Sequence, residues 1–178
     1  MTPPLVIDGQ TKLIDAWLAC EDLLDRFRAY NPAFREFLRV LGDEDVAREL
    51  SLADIASMVA SPEDELVSLA NGKEVKPNPS KPMISDMAPV SWFDDVDVNE
   101  ACLVDTRPIF ENGKEPLAVI LQMVAVADRD DILIVDAPFC PAPLRRLLAR
   151  RGYESGVKEL AANHWRCAFK PKGHEGSP

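Results

Sequence analysis

Apolar residues follow two different rhythms along this chain, and the change between them divides it. In the first part they recur about every three to four positions, as on one face of a helix: Leu13, Ile14, Trp17, Leu18, Leu24 and Phe27, then Phe34, Phe37, Leu38 and Leu41. Thr11 is placed to cap the first of these segments, with a break near Cys20-Glu21. Asn31-Pro32 ends that run, because a residue before proline avoids the α region. Gly42 closes the next segment. Ser51-Leu-Ala-Asp54 has the form of a capping box, and Ser61-Pro62-Glu63-Asp64 sets a cap, a proline at the first helical position and two dipole-matched acids before a last helix that stops at Asn71-Gly72. The pattern predicts a small all-α bundle of about four or five short helices over residues 1–72.

In the second part, strand and helix patterns alternate. Ala101–Asp105 reads as a strand, Pro116–Ala127 as a helix with Leu117, Ile120, Leu121 and Val124 facing the core, and Ile132-Leu-Ile-Val135 as a covered β-branched strand. Pro138 stops that strand. Pro141 suits the first position of a helix and Pro143 still lies in its first turn, which puts Cys140 at or near the N-cap. Leu144, Leu147 and Leu148 share the apolar face of this helix, and Gly152 stands where a left-handed terminating residue belongs. Val157–Leu160 and Trp165–Phe169 read as two short strands joined through Ala161–His164. The expected class is α+β, a helical bundle followed by a βαβαββ two-layer α/β sandwich with both crossover helices on one side of the sheet.

Charge sharpens the division. Residues 1–72 hold 6 Lys/Arg against 14 Asp/Glu, whereas residues 98–172 hold 11 against 10. Between them, residues 73–97 carry Pro77, Pro79, Pro82 and Pro89 and read as a linker, and residues 173–178 read as a tail. The formal net charge of −10 argues against non-specific nucleic-acid binding, which needs cationic side chains to displace counterions. Cys20, Cys102, Cys140 and Cys167 form no CxxC pair, so neither a disulfide framework nor a zinc site is indicated, and a reducing cytoplasm is the expected setting. The amino terminus lacks a secretory pattern, and the longest apolar stretch, Pro116–Ala127, falls short of the roughly 20 residues that cross a bilayer.

Several stretches resemble known families. Leu103-Val-Asp-Thr-Arg107-Pro, Glu115-Pro-Leu, Ala137-Pro-Phe-Cys-Pro-Ala-Pro-Leu, Gly152-Tyr and His164-Trp-Arg make residues 103–169 similar to the DUF2249 family, relatives of the TusA/SirA-like sulfur carriers. Thr11-Lys12, Tyr30-Asn-Pro-Ala-Phe34 and Asp64-Glu-Leu-Val-Ser-Leu-Ala-Asn71 make residues 5–70 resemble the helical DUF1858 domain. The resemblance implies a TusA-like fold behind a helical module. It does not carry the sulfur site across, because sulfur carriers place their cysteine in a Cys-Pro-x-Pro motif at the first helix of the sheet domain. Gly113 stands at that place here, and Cys140-Pro-Ala-Pro143 opens the second helix. Nor does it carry the cysteine pair of some DUF1858 domains, since Asn31-Pro32-Ala33-Phe34 occupies the comparable stretch.

The candidate site follows from topology. Parallel βα units gather the carboxyl ends of their strands on one edge, so Arg107, Cys140, Pro141 and Pro143 are expected together there. Cys140 is either a small residue filling a turn or a thiol acidified by a helix N-terminus. Arg145, Arg146, Arg150 and Arg151 are expected on the outer face of their helix, as a solvated surface or a docking face for an acidic partner. Cys20, Cys102 and Cys167 read as core, His164 as part of an exposed turn, and Asp105 and Asp136 as turn caps. With no catalytic triad, phosphate loop or dinucleotide fingerprint, the leading expectation is a non-enzymatic cytoplasmic accessory protein that binds a protein partner or small ligand, without cofactor, metal, membrane or nucleic acid. The alternatives are a sulfur-transfer or thiol-relay protein using Cys140, and metal or haem handling through Cys140 and His164. The pattern leaves the oligomeric state open.

Overall fold

A computed structural model describes residues 5–79, 90–128 and 130–173. The chain is α+β and divides into two compact units, residues 1–82 and 83–178.

The first unit contains α1 (Leu13–Ala19), α2 (Leu23–Tyr30), α3 (Phe34–Leu41), α4 (Glu44–Glu49), α5 (Leu52–Met58) and α6 (Glu63–Ala70). None exceeds eight residues, too short to persist alone, so their stability comes from the shared core. Leu13, Leu23, Phe27, Phe34, Ile55 and Leu66 are fully buried in it, and the Phe27 and Phe34 rings stack with centroids 4.8 Å apart. Thr11 does not cap α1. Its hydroxyl instead joins a turn with Asp8, and Lys12 forms an isolated β-bridge with Ser51, with Leu13 N–H donating to the Leu50 carbonyl at 2.9 Å. The Ser51/Asp54 capping box forms as its spacing predicts. Asp43 caps α4, a helix absent from the sequence reading. Ser61 accepts from Asn31 Nδ2 at 3.0 Å instead of capping α6, where Pro62 takes the N-cap. Burial and then the hydrogen bond to Glu65 push the Tyr30 hydroxyl up to about 12, which keeps it a neutral donor to that carboxylate.

The second unit runs β1 (Cys102–Asp105), α7 (Arg107–Glu111), α8 (Leu117–Val126), β2 (Leu133–Ala137), α9 (Ala142–Arg150), β3 (Tyr153–Ala161) and β4 (His164–Pro171). The sheet order is β1-β2-β4-β3, with β1 and β2 parallel and the remaining pairs antiparallel. The short α7 was not expected. Both hairpin strands are longer than their patterns suggested, and Asn163 takes a left-handed φ of 57° that lets Ala161 pair with His164 across a two-residue connection. Gly152 ends α9 at φ 94°, as expected.

Register sorts the sheet's two faces. Val104, Val135, Cys167 and Val157 are cross-strand partners on one face, and Ser155, on that same face, meets α9 through Arg145. Asp105, Asp136, Arg166 and Lys158 form a row on the other face, beside Ile134, Ala168 and Gly156. Val90 and Phe93 pack over Gly156, where an added Cβ would lie 2.3 Å and 2.8 Å from their side chains. Lys158 also meets Asp94 at 3.4 Å, and Lys170 lies 5.7 Å above the Trp92 ring. The stretch 73–97 is therefore not a free spacer at its ends: Asn78 N–H bonds the Tyr30 carbonyl, and residues from Val90 onward cover the sheet. The prolines concealed the apolar Val90, Trp92 and Phe93 that anchor it. Residues 80–89 of that stretch, and 174–178 of the tail, lie outside the described residues.

Gly156→Ala should lower stability by about 1–3 kcal/mol through overpacking against Val90 and Phe93. Adding Val90→Ala should recover part of that loss, measured by urea unfolding of both variants. Equal stability of Gly156→Ala and the parent would contradict the packing.

Candidate functional site

The strand-end edge is assembled around Asp136 of β2. Its side chain is 4% exposed and accepts from Arg166 Nε and Nη2 at 2.8 Å each, while His164 Nε2 lies 3.0 Å from its second oxygen. The backbone carbonyl of the same residue accepts from the Thr106 amide at 2.8 Å and hydroxyl at 2.7 Å, which ties the start of α7 to β2. At the register position directly opposite on β1, Asp105 accepts from Arg107 Nε at 2.9 Å and Nη2 at 2.7 Å, and its carboxylate also accepts from the Arg107 amide.

Burial is the largest single influence on Asp136 and by itself would raise its pKa. The hydrogen bonds and charges of Arg166 and His164 outweigh it and hold the carboxyl below the ordinary value. Asp105 is lowered mainly by its hydrogen bond to Arg107, against a smaller burial effect. Two carboxylates face two guanidiniums, so the cluster is balanced when His164 is neutral and cationic when it is protonated.

Several expectations need correction. His164 is not in an exposed turn: it opens β4 and is 22% exposed against Asp136. Asp136 holds cross-strand partners and is no turn cap. Arg107 is turned to Asp105 and makes no hydrogen bond to Cys140. Cys140 lies one residue before the N-cap, which is Pro141, with Pro143 in the first turn, and the residue is half-buried. Arg145 is not on an outer docking face. At 9% exposed, it bends to β3 and donates to the Ser155 hydroxyl at 2.9 Å and carbonyl at 3.2 Å, because its place on the helix points it between α9 and the sheet. Arg150 is exposed, while Arg146 and Arg151 are half-buried. Cys167 is core, but Cys20 and Cys102 are half-buried, and the Cys20 thiol donates to Asp22 at 3.2 Å.

Two further features were missed. Phe139, in the turn after β2, is 51% exposed and packs on Phe110 of α7 with ring centroids 5.2 Å apart. At the opposite, amino-terminal end of β1 and β2, a 370 Å³ cavity is lined by Trp92, Lys170 and the acids Asp95, Asp97, Glu100, Asp130 and Asp131. Signals for the charged cluster were present: Val104-Asp105 and Val135-Asp136 repeat a valine–aspartate pair toward the carboxyl ends of their strands, and His164 and Arg166 are two apart, hence on one face of a strand. Among the described residues, no group of three or more His, Cys, Asp or Glu side chains is placed to hold a metal ion, and no helix is long and apolar enough to cross a membrane.

Comparison with known proteins finds no matching family model, no similar curated protein and no similar solved structure.

Asp136→Asn should destabilise the second unit by roughly 3 kcal/mol, since it strips the counter-charge from a largely buried guanidinium. Asp105→Asn, at a partly exposed pair, should cost less than about 1 kcal/mol. Urea unfolding in a Trp17→Phe background, where fluorescence reports Trp92 and Trp165, checks both. Because the two carboxyls bind fewer protons folded than unfolded, their stabilisation holds above the ordinary carboxylate value of about 3.9 and is lost as pH falls through their lower native values. Asp136→Asn should flatten that acid-side decline.

Proposed function

We propose that the second unit is a non-enzymatic binding module of a cytoplasmic accessory protein, and that its strand-end edge takes up a partner segment or small ligand close to Cys140. In this reading residues 98–172 adopt the TusA-like βαβαββ two-layer sandwich that the DUF2249 resemblance implies, with α7 added to the first crossover, and residues 1–72 form a DUF1858-like docking module.

The observation that carries the proposal is the half-exposed Phe139 braced on Phe110 of α7, the helix that opens with the Asp105-paired Arg107. A rigid aromatic at the surface is the kind of side chain that dominates recognition energies. Arg107 commits Nε and Nη2 to Asp105, which leaves its Nη1 hydrogens as donors to an incoming acceptor. The favoured ligand therefore joins an apolar or aromatic group to an acidic one. A catalytic reading is less well supported. A general acid or base works best when poised near the operating pH, whereas both carboxylates here are held ionised by bidentate guanidiniums. The metal or haem alternative rests on no assembled ligand set among the described residues.

The test is an amide chemical-shift titration of the whole protein with phenyl phosphate and benzoate, using benzyl alcohol as an uncharged control. Shifts should centre on Arg107, Phe110, Phe139 and His164, and binding should weaken at least about fivefold in Phe139→Ala. Shifts centred elsewhere, no shifts, or multiple turnovers of a sulfur or redox substrate by the purified protein would each overturn the proposal.

A further inference from the structure

The hydrogen bonds of Asp136 decide which nitrogen of His164 carries a hydrogen. The carboxylate accepts Nε and Nη2 of Arg166 at 2.8 Å each and is held below its ordinary value, so it stays ionised and can only accept. His164 Nε2, 3.0 Å from Asp136 Oδ2, is therefore the donor, and the neutral ring is the Nε2–H tautomer. The other ring nitrogen, Nδ1, is an acceptor in the neutral ring and a donor only in the cation. Among the described residues no group bonds Nδ1. Nor is it sealed off, since the buried side-chain atom left without a partner among those residues is Arg145 Nη1, and Nδ1 therefore faces solvent.

Register puts this ring at the edge already described. Asp105, Asp136 and Arg166 are cross-strand partners; Arg107 follows Asp105 by two residues and His164 precedes Arg166 by two. Because β4 runs antiparallel to β2, both steps lead to the same end of the sheet. The charged groups around the ring are Asp136 of β2, Asp105 of β1, Arg107 of α7, Arg166 of β4 and, further along the row, Lys158 of β3. The turn after β2 adds no acid or base besides the Cys140 thiol. Each guanidinium of the set has its own carboxylate, and Lys158 has Asp94. A proton on His164 thus adds one positive charge in excess, displayed to solvent through Nδ1–H.

We propose that His164 is the specificity-determining residue of the strand-end edge, which takes up an anionic ligand together with a proton: the ring is protonated at Nδ1, and Nδ1–H donates to a carboxylate or phosphate oxygen of the ligand. The inference rests on uptake at that edge as proposed above, and adds what selects the acid group and what controls its binding. The proton comes from solvent and no bond of the ligand breaks. Neutral His164 presents a lone pair to an incoming anion, and protonated His164 presents a charged donor. By linkage, acidification favours uptake, and the bound anion favours the imidazolium by the same factor. Imidazole ordinarily changes charge between about pH 5 and 8, so the control operates in that range.

The experiment records long-range proton–nitrogen spectra of the His164 ring in the whole protein, which identify its tautomer and follow its titration with and without benzoate. Benzyl alcohol is the uncharged control. Above its midpoint the ligand-free ring should be the Nε2–H tautomer. Benzoate should bind the protonated protein at least about fivefold more tightly than the neutral one, and saturating benzoate should raise the His164 midpoint by the same factor, about 0.7 unit or more. Benzyl alcohol should bind alike across the range. His164→Gln, which keeps a donor for Asp136 and does not titrate, should bind benzoate with no such pH dependence. An Nδ1–H tautomer, or equal benzoate affinity on the two sides of the midpoint, would overturn this inference and leave uptake at the edge standing. Absence of benzoate binding at every pH would overturn both. The wild-type measurements decide even where the variant does not fold.

Discussion

A carboxylate on a central strand of a sheet, almost closed to water, has to be met by donors, and in the second unit the residue that bears it sets where two other pieces of chain go. The Asp136 side chain holds Arg166 and His164 of β4, and its carbonyl holds Thr106 at the entrance to α7. A slip of one residue in the β2–β4 pairing would turn Asp136 toward the apolar face shared by Val135 and Cys167 and leave Arg166 without its partner. The ion pair therefore acts less as a source of net stability than as a selector of register, since much of its Coulombic gain is offset by desolvation. Along the same row, Asp105 and Asp136 precede Arg166 and Lys158, so opposite charges meet across the middle of the sheet.

The two arginines that the sheet buries deeply have opposite fates. Arg166 is neutralised where it stands, whereas Arg145 is set against a serine with one nitrogen unmatched. Buried charge of the first kind pins geometry. Buried charge of the second kind leaves a donor unmatched between α9 and β3. The exposed Phe139 is followed directly by the half-buried Cys140, so the β2–α9 connection sets an exposed aromatic beside a cysteine.

Helix starts show how far local pattern reaches. Ser51 and Asp54 close their capping box because all its atoms lie within one turn, and Gly152 takes its left-handed conformation for the same reason. Thr11 and Ser61 have equally good local credentials and cap nothing, because Asp8 and the buried Asn31 claim their hydroxyls. Hydrogen-bonding side chains go to the partner that tertiary packing leaves unmatched. The linker reading failed in a related way at its ends: prolines marked 73–97 as extended, and extended chain bearing Val90, Trp92 and Phe93 is also what covers an open sheet face.

The sequence by itself determined the α+β class, the succession of elements apart from α4 and α7, and the strand–turn–helix stretch from Ile132 to Gly152, because periodicity, prolines and glycines act over a few residues. It also carried the charge asymmetry between the two parts. Only the tertiary structure decided that Asp136 belongs to His164 and Arg166, that Arg107 belongs to Asp105 and not to Cys140, and that Arg145 turns inward from a helix face that reads as solvent-exposed. These choices depend on strand register and on which helix face meets the sheet. The pairing of Asp136 joins residues about thirty positions apart and the inward turn of Arg145 follows from the burial of a whole helix face, so the order of residues shows which side chains could share a face but not which of them meet.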